Sequence, residues 1–92
     1  MTKILIVDTS IMCVWLKVPG KEVAGKSNEY TYDIVARHIE EERLKGTKLV
    51  LPIATIIETG NHIAHSNGNR EYSIDTFSSM IVSAAKGETP WI

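Results

Sequence analysis

Ninety-two residues make one small domain and leave no room for a second. Of these residues 43% are hydrophobic and 23% charged, an ordinary globular balance that excludes disorder as the default. Ten basic and eleven acidic side chains give a formal charge of -1, which excludes a blanket electrostatic hold on nucleic acid but not a local basic patch.

Ile4-Leu5-Ile6-Val7 is a continuous, β-branched apolar run of the kind that forms a strand buried on both faces. It stops at Asp8-Thr9-Ser10, any of which can cap a following helix. Ile11 to Leu16 is apolar throughout and too short to classify by period; a short buried helix is expected. Val18 to Asn28 reads as a loop, with Pro19, Gly20 and Gly25. A helix follows from Asn28 or Thr31 to Lys45. Its apolar positions are Tyr30, Ile34, Val35, Ile39 and Leu44, and Glu40, Glu41 and Glu42 form an acidic outer face. Lys45 and Gly46 are the cation and the glycine that close a helix.

Leu49-Val50-Leu51 is a second buried strand, ended by Pro52. From Ile53 the period is helical, and Ile53, Ile56, Ile57, Gly60, Ile63 and Ala64 share one face. Ser66-Asn67-Gly68-Asn69 breaks the chain. A last helix spans about Arg70 to Lys86, with Ile74, Phe77, Ile81 and Ala85 inward. Trp91 and Ile92 read as the start of another strand. Two buried strands joined through helices imply a parallel pair with a right-handed crossover, so the expected class is α/β and heavily helical.

Functional groups of a parallel sheet gather beyond the carboxyl ends of its strands. Asp8 stands there after the first strand. Glu58 follows the second strand within about two helical turns and opposes much of the isoleucine face. Two carboxylates converging on one cleft repel unless a cation neutralises them, and oxygen donors favour Mg²⁺ or Mn²⁺. The plainer alternatives are that Asp8 is only a helix cap and Glu58 only a solvated helix residue.

The segments Ile4-Leu5-Ile6-Val7-Asp8-Thr9-Ser10 and Leu49-Val50-Leu51-Pro52-Ile53-Ala54-Thr55-Ile56-Ile57-Glu58-Thr59-Gly60-Asn61 resemble the first and second blocks of the PIN-domain family of VapC-like ribonucleases. That resemblance implies a short parallel sheet flanked by helices. It also implies a metal-dependent endoribonuclease acting on single-stranded RNA with Mg²⁺ or Mn²⁺, in many members the toxin of a toxin–antitoxin pair. By it, Asp8 and Glu58 match the first two acids of the catalytic metal site. Thr9 or Ser10 matches the neighbouring hydroxyl that positions water or phosphate, and Asn61 sits at the pocket rim. The family draws one or two further aspartates from a later strand. Asp75 lies before that strand and reads as a solvated helix residue, and Asp33 as a dipole or cap residue. Residues 1–92 are therefore expected to be a single PIN-like domain lacking its C-terminal strands. The implied partners are RNA, an antitoxin protein and, as a homo-oligomer, further copies of the chain. The alternative is a non-catalytic PIN-like binding or assembly module.

Gly20-Lys21-Glu22-Val23-Ala24-Gly25-Lys26-Ser27 satisfies the phosphate-loop pattern, which offers a nucleotide-binding reading of residues 20–27. Against it, no strand directly precedes Gly20, and Glu22 and Glu29 oppose polyphosphate. The plainer reading is a glycine loop whose Lys21 and Lys26, with Lys17 beside it, touch RNA backbone. Glu58, Asn61, His62 and His65 share a helical stripe, a polar face rather than a metal site without a third protein ligand. His38 is a lone histidine, packed or solvated. A receiver-like reading of the Asp8 segment fails because Thr9 and Pro52 stand where acids are needed. Met12, Trp15 and Leu16 are assigned to the core in preference to a partner-binding patch. The single cysteine, Cys13, excludes an intrachain disulfide and a multi-cysteine zinc site and suits a reducing cytosol. With no membrane-length apolar run and no signal-peptide pattern, a cytoplasmic protein is expected.

Overall fold

The computed structural model describes residues 3–92. The elements are β1 (Ile4–Ile6), α1 (Thr9–Trp15), β2 (Val23–Ala24), β3 (Tyr30–Thr31), α2 (Tyr32–Leu44), β4 (Lys48–Val50), α3 (Ile53–His65) and α4 (Glu71–Ala85). This is an α/β fold with four helices and a short parallel sheet. No helix among the described residues is long and apolar enough to cross a membrane.

β1 and β4 pair in parallel, with Ile4 opposite Lys48, Leu5 opposite Leu49 and Ile6 opposite Val50. The opposite edge of β4 receives the end of the chain. Leu49 donates to the Pro90 carbonyl (2.7 Å), Ile92 donates to the Leu49 carbonyl (3.0 Å), and Leu49 and Trp91 form a parallel bridge. β4 is thus central and β1 is an edge. Leu49, 0% exposed, is buried by neighbours on both sides.

α1 is the centre of the core. Met12, Cys13, Val14 and Leu16 are all buried, and the helix packs on both α2 and α3. From Ile11 to Leu16 every residue is buried or half-buried, so this stretch has no polar face and its period could not be read from the sequence. Trp15 stacks obliquely on Trp91 at 6.2 Å, so Met12, Trp15 and Leu16 belong to the core, as assigned. Burial raises the Cys13 thiol pKa, which leaves it a packing residue.

Three helices end in the same double hydrogen bond. At α1, Val18 donates to the Cys13 carbonyl and Lys17 to that of Val14. Thr47 and Gly46 repeat this on Glu42 and Arg43 of α2, and Glu88 and Gly87 on Ser83 and Ala84 of α4. The turn needs a left-handed residue, normally glycine. Gly46 and Gly87 supply it (φ 83° and 67°), but at α1 the position is Lys17 (φ 55°).

Several expectations are corrected. β1 is not buried on both faces: Val7 beyond it is buried, whereas Ile4 and Ile6 are 55% and 65% exposed because no helix covers that face. The loop of residues 18–28 contains β2, which pairs antiparallel with β3. In the acidic stretch Glu42 is buried, because Lys3 and Thr47 close over it. On α2, Val35 and Ile39 face the core but Ile34 and Leu44 are exposed, and Tyr30, expected on this helix, stands exposed in β3 before it. On α3 the buried stripe is Thr55, Thr59 and Ile63, while Ile53 and Ile57 face solvent. On α4, Ser73 and Phe77 are buried, and Ile74 and Ala85 are exposed. In both helices a hydroxyl takes an inward position because a backbone carbonyl lies opposite it. Ser73 Oγ donates to the Leu16 carbonyl (2.8 Å), and Thr55 Oγ1 to that of Val7 (3.1 Å).

Candidate active site at the carboxyl end of the sheet

The site begins at the last residue of the β1 run. The ladder continues past β1 as Val7 donates to the Val50 carbonyl (3.1 Å). The next donor on that side would be residue 52, and a proline has no N–H. The Thr55 hydroxyl takes over that role, bonding the Val7 carbonyl from the first turn of α3. Pro52 and Thr55 together therefore fix α3 against the end of β1.

Asp8 then turns the chain. It has extended backbone (φ -86°, ψ 169°), and its Oδ1 accepts from the Ile11 amide at 2.9 Å, the N-cap of α1. Of the three capping candidates the structure selects Asp8; Thr9 and Ser10 lie inside the helix. One turn along α3 from Thr55, the Glu58 Oε1 accepts from Thr9 Oγ1 at 3.1 Å. Asp8, Thr9 and Glu58 are thus brought to one place, at the carboxyl ends of two parallel strands. Asp8 and Glu58 are both exposed. The ion pairs among the described residues involve Glu40 and Glu42, and neither Asp8 nor Glu58.

Ser10 is exposed on the first turn of α1 with no side-chain hydrogen bond among the described residues. Asn61 is exposed on α3, one turn after Glu58, and its carbonyl oxygen accepts from His65 Nδ1 at 2.8 Å. The His62 and His65 stripe therefore spends His65 on its own helix. Among the described residues no three of His, Cys, Asp and Glu gather as a metal-binding group. Asp8 and Glu58 are linked through Thr9, which follows Asp8 in the chain and donates to Glu58, and among the described residues each carboxylate has one oxygen without a protein hydrogen bond. Exposed carboxylate oxygens suit a hard cation that retains several waters, as Mg²⁺ does.

The lysines are divided. Lys17 lies past the far end of α1, about 13 Å along the helix axis from Asp8. Its Nζ sits 4.3 Å from the centroid of Tyr32 and 5.2 Å from that of Tyr72. This double cation–π contact holds Lys17 in its left-handed turn and binds α1 to α2 and α4. Lys21 and Lys26 are exposed in the segment around β2.

The phosphate-loop pattern does not take the form it requires. Residues 25–29 turn between β2 and β3, so a strand and not a helix follows Ser27. The Ser27 amide, which would face phosphate, donates to Glu29 Oε2 at 2.8 Å. Gly25 has φ 92°, and a Cβ there would meet the Glu29 carboxyl carbon at 2.5 Å. The chain's own carboxylate fills the turn.

The residues missed by sequence reasoning are Thr55 and Pro52, which act as a pair. The signal was present: a proline directly after a parallel strand leaves one ladder carbonyl unpaired, and a nearby hydroxyl is its natural partner. Comparison with family models, with curated proteins and with solved structures finds no match to this chain.

Proposed function

We propose that this chain is a PIN-like, Mg²⁺- or Mn²⁺-dependent endoribonuclease domain for single-stranded RNA, with Asp8 and Glu58 as its acidic ligands. The observation that carries the reading is the Thr9–Glu58 hydrogen bond, which joins the two acid-bearing segments where parallel sheets carry their chemistry. A divalent cation held there would acidify a coordinated water and offset charge on a phosphodiester. Asp8 and Glu58 would hold the cation, directly or through water. Thr9 orients the Glu58 carboxylate, and Ser10 and Asn61 are the polar groups nearest in sequence for positioning water or phosphate. Lys21 and Lys26 would meet the RNA backbone, whereas Lys17 is already engaged by two tyrosines. An antitoxin protein that covers the acidic cleft belongs to the same proposal.

The test is Asp8→Asn. Asparagine caps a helix as well as aspartate, so the substitution removes charge and keeps the fold. RNA cleavage in Mn²⁺ should fall at least about 100-fold, since the cation loses a charged ligand. The circular dichroism spectrum should not change. Cleavage at the wild-type rate would end the assignment.

A second reading, a non-catalytic binding or assembly module on the same scaffold, is favoured by a different observation. β1 keeps an open, apolar edge.

A further inference from the structure

A groove of about 480 Å³ opens beside the first strand, between β1 and α2. Its base is apolar, with Val35 and Ile39 of α2 buried there. Tyr30 and Ile34 line it and stay 45% and 40% exposed, so solvent reaches them. The polar side chains in its lining are those of Asp8, Tyr30 and His38, all three exposed.

Asp8 belongs both to this groove and to the carboxylate site. That shared residue limits what the groove can hold. A further segment of this protein seated in it, or a strand of another polypeptide, would cover Asp8 as well. A metal at Asp8 that acts on a phosphodiester requires the groove to be open while the site works. The occupant compatible with a working site is therefore part of the substrate. Among the described residues no lysine or arginine lines the groove, so it does not suit the phosphate itself. It suits the base, a flat body with apolar faces and a polar edge, which matches aromatic and apolar walls carrying a few polar groups. Its volume falls within the roughly 300–1,000 Å³ of small-ligand pockets, room for one nucleoside.

We propose that this groove is a nucleobase subsite of the candidate site. In it, an unpaired base next to the phosphodiester at Asp8 stacks on the Tyr30 ring, with His38 at its polar edge. The inference rests on the ribonuclease reading and adds to it where the substrate is gripped. A base in a duplex gives its edge to its partner and its faces to its neighbours, so only an unpaired, unstacked base enters. The groove thus supplies a physical reason for a preference for single strands.

Two measurements test it. With the 92-residue chain in Mg²⁺, adenosine monophosphate or uridine monophosphate should shift the backbone amide resonances of Tyr30, Ile34 and His38. Ribose phosphate, which has the sugar and the phosphate but no base, should leave them in place. In cleavage of a short single-stranded RNA with Mn²⁺, one abasic nucleotide is moved along the substrate. At a single position beside the scissile bond it should lower kcat/KM roughly 10-fold, the share of one stacked base. Tyr30→Ala should lower kcat/KM on intact RNA by the same factor and lose nothing further on the abasic substrate. Tyr30→Trp should retain the wild-type value. Tyr30 is exposed and β3 pairs through its backbone, so these substitutions spare the core.

Equal shifts with ribose phosphate overturn the proposal. So does the absence of shifts with either nucleotide at about 10 mM, the result expected where a further segment of the protein fills the groove. Additive losses from the abasic position and Tyr30→Ala also overturn it, and RNA cleavage in any of these cases leaves the ribonuclease reading standing. Nucleotide shifts in the groove without cleavage of RNA would support the base site and end the ribonuclease reading instead.

Discussion

Glu42 is the charged side chain on which β1, α2 and β4 converge. Its carboxylate meets Lys3 Nζ at 2.7 Å, Thr47 Oγ1 at 3.1 Å and Lys45 Nζ at 3.4 Å. These partners, Lys3 foremost, hold its pKa at about 2, against an ordinary value of 4.5. A folded pKa below the unfolded one stabilises the protein above the unfolded value and is lost as pH falls. Stability measured by urea unfolding should therefore decline between pH 4.5 and about 2. Glu42→Gln should flatten that slope and lower stability at pH 7. A slope unchanged in the variant would mean that other carboxylates carry it. In the sequence Glu42 is one of three consecutive glutamates and looks like its neighbours. Only the return of Lys3 and Thr47 across the chain distinguishes it.

On α3 one substitution tests two neighbouring threonines in opposite directions. Thr55 donates to the Val7 carbonyl that Pro52 leaves unpaired, so Thr55→Val strands a buried acceptor. That change should lower stability by about 1–2 kcal/mol and loosen the seat of Glu58. Thr59 is 0% exposed, and its hydroxyl has no partner among the described residues. Thr59→Val keeps shape and β-branching and removes a buried polar atom, so stability should rise by about 1 kcal/mol. Chemical denaturation of both variants reads the difference, and destabilisation by both would show that Thr59 has a partner in solution. The isoleucine periodicity located α3 and set Ile56 and Ile63 inward correctly, but it placed Ile53 and Ile57 on the same face. Ile53 and Ile57 are exposed because the inward stripe had to carry the hydroxyl that answers Val7. Periodicity counts apolar residues and is blind to a hydroxyl that replaces a missing amide.

Among the described residues, β4 is flanked on both sides and β1 on one. Trp91 is buried against Trp15, and its neighbours Pro90 and Ile92 hydrogen-bond Leu49 of β4, which makes this segment part of the core. Trp91→Ala should cost about 3–5 kcal/mol, a large share of the roughly 5–10 kcal/mol expected of a small domain. The urea midpoint, followed through Trp15 fluorescence, should collapse accordingly; a shift under about 1 kcal/mol would mean that the Trp91 contact does not form in solution. The α/β class, the two parallel strands, the four helices and their order were legible in the chain, because glycines, prolines and apolar runs are local signals. Asp8 and Glu58 were legible as residues by their distance from those strands. Their convergence on one edge of the sheet was an expectation of the chain; the Thr9–Glu58 hydrogen bond was not legible, because it depends on a hydroxyl of α1 reaching across to α3. Nor was the open face of β1 legible: Ile4 and Ile6 spell a strand buried on both sides, and an apolar run states only which surfaces avoid water. Which neighbour covers them is decided by the packing of whole elements, and in this fold β4 and the helices cover one side alone.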